Sequence, residues 1–295
     1  MAVHAVLGVT GNTGGATARA LLARGVRVRA VVRDAGRGAP WSARGAEVAV
    51  ADLADAASLA GAFEGADAAY VLNPPAYTLP DLFARAEALA GCVLAAARAV
   101  RLQRLVVLSS IGAHLASGTG NIGTNHTFER VLGALDGTVT FLRPAYFMEN
   151  WAWVASLAAE RGVLPSFLSP ADRALPMVSV ADVGEAAADA MLDPRAGARV
   201  VELAGPAACS PDDAATAFSE ALGRRVTVAA LPEAEWPEAL RGWRFTPRTI
   251  AAWIELFRGF NAGRIGFEKD GAATIGGRTS LRDAVRRIVG AGVAR

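Results

Sequence analysis

An apolar run from Val3 to Leu7 gives way to Gly8-Val9-Thr10-Gly11-Asn12-Thr13-Gly14. An alanine-rich helical stretch follows to Arg24 and closes at Gly25, and a second apolar run, Val26 to Val32, ends in Arg33-Asp34. Strand, glycine turn, helix and strand within roughly 30 residues make one βαβ unit. The glycines have separate jobs in such a unit. Gly8 permits the tight turn, Gly11 lets backbone N–H groups approach a pyrophosphate, and Gly14 lets the helix pack close on the strand. Orphan N–H donors and the dipole at the helix N-terminus then favour an anion. With 31 glycines in the chain, the pattern alone would be compatible with an ordinary loop. The flanking strand and helix make it a dinucleotide-binding turn, with Gly8, Thr10, Gly11, Asn12, Thr13 and Gly14 as the cradle.

The 295 residues allow one large domain or two smaller ones. A 53% hydrophobic content with 20% charged residues describes a soluble globular protein with ample core. The net charge of +2, with scattered arginines, argues against nucleic acid or an anionic membrane surface as partner. Cys92 and Cys209 lack C-x-x-C spacing, so neither a disulfide framework nor a metal site is expected, and both fit a reducing compartment. Glycine turn chemistry inside the first strand argues against a signal peptide, and no run of 18 apolar residues occurs. A cytoplasmic location is the expectation.

Short apolar runs at Val3–Leu7, Arg27–Val32, Glu47–Val50, Ala68–Leu72, Leu105–Leu108 and Val139–Leu142 read as parallel strands covered on both faces. Helical segments at Thr13–Arg24, Ala56–Phe63, Leu82–Val100 and Thr127–Leu135 alternate with them. The alternation predicts an α/β fold, a doubly wound parallel Rossmann sheet over residues 1–155, with ligands at the strands' carboxyl ends. Beyond position 150 prolines punctuate short elements and five of the six tryptophans occur, and residues 156–295 predict a smaller α/β substrate domain. Residues 177–205 are expected to return to the first domain through a strand at Arg199–Leu203. Asp182 and Glu185 have capping-box spacing for a helix over Val183–Met191. Ser210-Pro211-Asp212-Asp213 reads as a helix start.

Several stretches resemble the NmrA-like branch of atypical short-chain dehydrogenases/reductases. They are Gly8-x-Thr10-Gly11-x-x-Gly14, Val31-Val32-Arg33-Asp34, Leu108-Ser109-Ser110-Ile111-Gly112-Ala113, Phe141-Leu142-Arg143-Pro144 with Phe147-Met148-Glu149-Asn150, and Met177 to Gly184. The resemblance covers nearly the whole chain, most securely residues 3–205. It implies a Rossmann domain with a small C-terminal substrate domain, and NAD(P)H use, commonly NADPH, by reductases of quinones, enones, imines or benzylic ethers. Some relatives bind the cofactor without turnover and act as redox-sensing regulators.

The end of the second strand addresses the choice of cofactor. NAD sites usually place a carboxylate there for the ribose 2′-hydroxyl. Here Arg33 comes first, and a guanidinium suits a 2′-phosphate. Arg37 reads equally well as a surface residue, and Asp34 leaves NAD(H) open, with NADP(H) preferred. Asp52 resembles the family's adenine-facing acid, and Asn73-Pro74 would run past the cofactor's ribose. Ordinary short-chain reductases carry a Tyr-x-x-x-Lys pair on the helix after the fifth strand. Aligning Glu129 with the family's glutamate places Asn125 at the lysine and Asn121 at the tyrosine. Neither amide titrates, so the usual relay is absent. His126 is the nearest titratable group, about 100° around the helix from Asn125, and reads equally as a surface histidine.

The sequence thus assigns His126, Asn125 and Ser109 to chemistry. Ser109, Asn125 and Tyr146 join the cradle, Arg33, Asp52, Asn73 and Pro74 as cofactor ligands. Phe147, Asn150 and Trp151 are assigned to a small apolar or aromatic substrate. The expected activity is NADPH-dependent hydride transfer to a conjugated or aromatic carbonyl-type acceptor (quinone, enone or polycyclic ketone). A non-catalytic NADP(H)-sensing regulator is the alternative, and a homo-oligomer is compatible with either.

Overall fold

The computed structural model describes residues 2–293 except 196, 198 and 269–271. In chain order the elements are β1 (Val3–Leu7), α1 (Asn12–Ala23), β2 (Arg27–Val32), α2 (Ala39–Ser42), β3 (Glu47–Val50), α3 (Ala56–Phe63), β4 (Ala66–Leu72), α4 (Leu82–Ala99), β5 (Arg104–Leu108), α5 (Gly123–Leu132), β6 (Thr138–Pro144) and β7 (Tyr146–Phe147). There follow α6 (Ala155–Arg161), β8 (Val163–Ser166), β9 (Leu175–Val178), α7 (Val180–Leu192), β10 (Arg199–Ala204), β11 (Ala208–Cys209), α8 (Pro211–Leu222), β12 (Thr227–Ala230), α9 (Trp236–Arg241), α10 (Pro247–Asn261), β13 (Ala273–Gly276) and α11 (Leu281–Val293).

Eight strands form one sheet in the order β13-β10-β6-β5-β4-β1-β2-β3, and every pairing in it is parallel. Chain order reverses between β1 and β4, the switch point at which a doubly wound sheet binds its ligand. All five residues of β1 are buried, as a strand with helices on both faces requires. The edge strand β3 alternates instead, with Val48 and Val50 exposed. Smaller sheets, β11-β9-β7 and β12-β8, stand beyond the carboxyl ends.

Helix starts follow side-chain capping. Asp55 accepts from the N–H groups of Ala57 and Ser58, Asp81 from those of Phe83 and Ala84. Ser210 and Asp213 cap each other's backbone at α8, the start expected from the sequence. Two helices differ from expectation. α5 begins at Gly123, four residues before Thr127. Its first turn lacks apolar periodicity and is held locally, the Thr124 hydroxyl donating to the Asn121 carbonyl at 2.8 Å and the Thr127 hydroxyl to that of Gly123 at 3.1 Å. α7 begins at Val180 with Ser179 as its cap, not Asp182. The carboxylate of Glu149 accepts from the Val180 N–H at 2.9 Å and the Ser179 hydroxyl at 2.7 Å, so the helix start is already satisfied. Asp182 is thereby free to accept from the Thr279 backbone and hydroxyl, tying down the approach to α11.

The strand at 199–204 does join the main sheet beside β6, and β13 extends it further. The apolar core on the substrate side draws on both halves of the chain: Ile111, Met148 and Trp151 pack with Phe218, Phe257 and Val285. No described helix is long and apolar enough to cross a membrane.

Candidate active site

The glycine turn after β1 is shaped by backbone contact. Gly8 has φ +69°, the left-handed region that favours glycine. A Cβ on Gly14 would lie 2.4 Å from the carbonyl oxygens of both Leu7 and Gly8, so only hydrogen lets α1 descend onto β1. On the other side of α1, a Cβ on Gly184 would sit 2.6 Å from Ala16, and α7 packs there at the same close range. These contacts hold the N-terminus of α1 rigidly over the carboxyl ends of β1 and β4, with Gly11 at its cap. The cradle fits a pyrophosphate: free N–H groups, no side chain in the way, and a helix dipole behind them.

A cavity of about 900 Å³ opens from this turn, at the upper end of the range for small-molecule sites. One end is lined by Gly8, Gly11, Asn12, Thr13 and Asn73, the middle by Ser109, Asn121, Asn125 and Tyr146. The far end is aromatic. Trp153 from the turn after β7, Trp243 from the segment after α9, and Trp253 on α10 meet with ring centroids 4.9 to 6.2 Å apart. Tyr77, from the loop after β4, packs edge-on against Trp253 at 5.4 Å. Phe167 and Phe257 stack at 4.7 Å below them.

The polar middle has a defined direction of hydrogen bonding. The Ser109 hydroxyl donates to Glu129 at 2.5 Å. Both oxygens of Glu129 are gripped by one edge of the Arg143 guanidinium, Nε and Nη2, at 2.8 and 2.7 Å. Arg143 donates also to Glu268 at 2.6 Å and lies 3.8 Å from the fully buried Glu202. With its proton committed to Glu129, Ser109 turns lone pairs toward the cavity and is an acceptor there. The donors are elsewhere. Burial pushes the Tyr146 phenol up to about 12, against the opposing pull of Asn150, so it stays protonated. Burial likewise pushes the Tyr77 phenol up, with the Asn121 side chain beside it pulling the other way. The amides of Asn121 and Asn125 complete the wall.

The structure thus brings Gly8, Gly11, Asn12, Thr13, Asn73, Ser109, Asn125, Tyr146, Phe147, Asn150 and Trp151 to one cavity. Thr10 and Gly14 belong to the turn itself, and Pro74 lines a small adjoining pocket with Asn121 and Asn125. His126 does not reach the cavity. Its Nδ1 lies 2.8 Å from the Ala113 carbonyl, which ties the ring to the loop after β5, and the angle around α5 separates it from Asn125. Arg33 lies exposed at the end of β2. Asp34 beside it caps the following turn, its Oδ1 accepting from the Gly36 N–H at 2.9 Å. Asp52 is exposed and likewise caps its own turn, at Ala54.

Three features were not anticipated. Arg85 on α4 donates to the Pro74 carbonyl at 3.2 Å. Burial and the charge of Arg33 push its pKa down while Asp52 raises it, so Arg85 stands near both. Tyr77 enters the cavity from a loop that carries no periodic signal. His114, Glu202 and Glu268 place ligand-type atoms within 4.8 Å of one another, and Arg143 already lies in that group as its cation.

These features define an NAD(P)-type Rossmann protein whose cavity ends in an aromatic chamber, and comparison with known proteins agrees. A sequence model of the NmrA-like family matches residues 3–262, and the chain belongs to that family. It is 27% identical over 255 residues to the NAD(P)H azoreductase of Xenophilus azovorans, covering 85% of each chain. It is 27% identical over 240 residues to quinone oxidoreductase 2 of Escherichia coli, covering 80% of each. The triphenylmethane reductase of Citrobacter sp., solved in complex with NADP(H), shares the fold at a TM-score of 0.79 and 20% identity, over 97% of this chain and 99% of that one.

Proposed function

We propose that this chain is an NADPH-dependent reductase of electron-poor conjugated acceptors such as quinones, enones and polycyclic ketones, working without a Tyr-x-x-x-Lys pair. The observation that carries the reading is a single cavity with a phosphate cradle at one end and a chamber of tryptophans at the other. The azoreductase and quinone oxidoreductase names of its relatives support the same class. The cradle, with Arg33 and Arg85 near the edge of β2, would hold the pyrophosphate and the 2′-phosphate. NADP(H) is favoured over NAD(H) because the guanidinium groups of Arg33 and Arg85 suit a 2′-phosphate and have nothing to neutralise on a ribose hydroxyl.

When bound, NADPH supplies the hydride. The protein's part is orientation and charge stabilisation. Phe147 and Trp151, on the turn anchored by Glu149 to α7, hold a flat ring against the cofactor's side of the chamber. In a conjugated acceptor the developing negative charge spreads over a π-system. Neutral donors such as the Tyr146 phenol and the amides of Asn121 and Asn125 can then stabilise it without an ionisable acid. Ser109 accepts from a ligand hydroxyl or amide N–H, fixing geometry, and protons reach the product from solvent.

The test is NADPH consumption across quinones, enones and simple ketones. Turnover of the conjugated acceptors alone is expected, together with a loss of less than about tenfold for His126→Ala, well below the ~10²–10⁴ of an essential acid. Reduction of an unconjugated ketone that His126→Ala abolishes would overturn this mechanism. Tight NADPH binding with no turnover on any acceptor would favour a cofactor sensor instead.

A further inference from the structure

The walls of the cavity are distinctive in what they lack. Among the described residues lining it there is no carboxylate, guanidinium, ammonium or imidazole. Its polar groups are neutral: amides, hydroxyls and phenols. The nearest buried cation, Arg143, lies behind Ser109 and is consumed by Glu129 and Glu268. Directly behind the Ser109 hydroxyl stands the Glu129 carboxylate, 2.5 Å from its oxygen, and it is negative.

The chamber's aromatic surface points the same way. Trp153, Trp243 and Trp253 form one connected group of rings, with Tyr77 and Phe245 packed on its edge. Ring faces carry negative quadrupole potential, which attracts cations and repels anions. Trp153 is 53% exposed and stands at the open side; an ionised sulfonate or carboxylate carried past it would lose its water and find no counter-ion among the described lining residues. That loss is among the largest penalties in protein energetics. A carbonyl, azo nitrogen or sulfonamide of the same size finds amide and phenol donors and suffers no such loss.

Building on the reductase reading, we infer that this cavity selects its acceptor by charge: it takes uncharged, flat, polycyclic aromatic molecules and refuses the same skeleton bearing an anionic substituent. Charge selection of this kind is a property of the chamber wall and needs no hydride transfer to be observed.

The decisive comparison uses anthraquinone sulfonate and the isosteric anthraquinone sulfonamide, which differ in charge and hardly in shape. Binding to wild-type protein saturated with 1,4,5,6-tetrahydro-NADP, whose nicotinamide ring is uncharged and donates no hydride, is read from quenching of the chamber tryptophans, so turnover is not required. The sulfonamide is expected to bind at least about 100-fold more tightly than the sulfonate. A ratio below about tenfold, or no binding of the sulfonamide, overturns the inference. Leu157→Arg adds a cation to the half-buried wall position on α6 and is expected to bring the sulfonate to within about tenfold of the sulfonamide. NADPH consumption measured alongside separates the two claims. If neither compound is reduced while the binding ratio holds, the reductase reading falls and charge selection stands. Equal turnover and equal binding of both would leave a reductase without the selectivity.

Discussion

Replacing Arg143 by methionine probes the network on which the polar side of the site rests. The guanidinium is 4% exposed and holds Glu129 by two hydrogen bonds of 2.8 and 2.7 Å. It reaches Glu268 at 2.6 Å and Glu202, itself fully buried, at 3.8 Å. Methionine keeps much of the stem and removes the charge, leaving three carboxylates around an apolar side chain. Breaking a buried pair by deleting one partner costs about 3–5 kcal/mol. The upper half of that range is expected, because Glu129 and Glu202 are largely buried and Glu202 lies within 4.8 Å of Glu268. The sign of the pH dependence follows. Burial already holds the Glu202 carboxyl above its ordinary value while Arg143 pulls it down, so without the guanidinium its folded-state pKa rises further above the unfolded one. The penalty is therefore complete at neutral pH and shrinks as pH falls through the raised folded value. Urea unfolding at pH about 7.5 and about 5 should show the deficit relative to wild type falling by roughly half or more. Arg143→Lys should lie between the two proteins, since it keeps a charge but not the two-pronged grip. A deficit below about 1 kcal/mol at neutral pH, or one that grows on acidification, would refute the reasoning.

Three further outcomes are expected. Gly14→Ala puts a methyl group 2.4 Å from two backbone carbonyls; titration calorimetry should show NADPH affinity reduced by at least about 100-fold, with a stability cost of about 1–3 kcal/mol from overpacking. Arg33→Ala should weaken NADPH roughly tenfold and NADH little, the low end for a charge-assisted contact because Arg33 is exposed; equal affinity of the wild type for both cofactors would remove the basis for that assignment. Burial depresses the His4 pKa below 6.5, outweighing the nearby Asp67, so the ring is neutral in the fold and its contribution is complete above that pH and lost as pH falls below it. Replacing His4 by leucine should flatten the stability loss between pH about 6.5 and about 5, and an unchanged profile would show that the loss arises elsewhere.

Much of the nucleotide half was legible because its signals are local. β2, β3 and α3 occur at the residues expected, Arg27–Val32, Glu47–Val50 and Ala56–Phe63. The turn at Gly8 and Gly14 answers to backbone geometry that only glycine meets, and backbone geometry leaves its mark on adjacent residues. Cap choice was less legible. Asp182 has the right spacing to cap a helix, but Ser179 and Glu149 satisfy that start, and Asp182 serves a contact 97 residues away. Distance along the chain hides such competition.

The site divides the same way. Periodicity, glycine spacing and the motif at Leu108–Ser109 sufficed to place the cradle and the strand ends at one edge of a parallel sheet. They could not show that His126 would be drawn to the Ala113 carbonyl, that the Ser109 hydroxyl would be committed as a donor to Glu129, or that Arg85 would come near Arg33. Nor could they show that the tryptophans of three separate segments would close one chamber free of charged side chains. The chain by itself determined the elements and the phosphate cradle, because propensity, hydrophobic period and glycine geometry act within a few residues. Tertiary structure alone decided which polar groups face the cavity and with what charge, because hydrogen-bond partners and dielectric surroundings come from elements far apart in sequence.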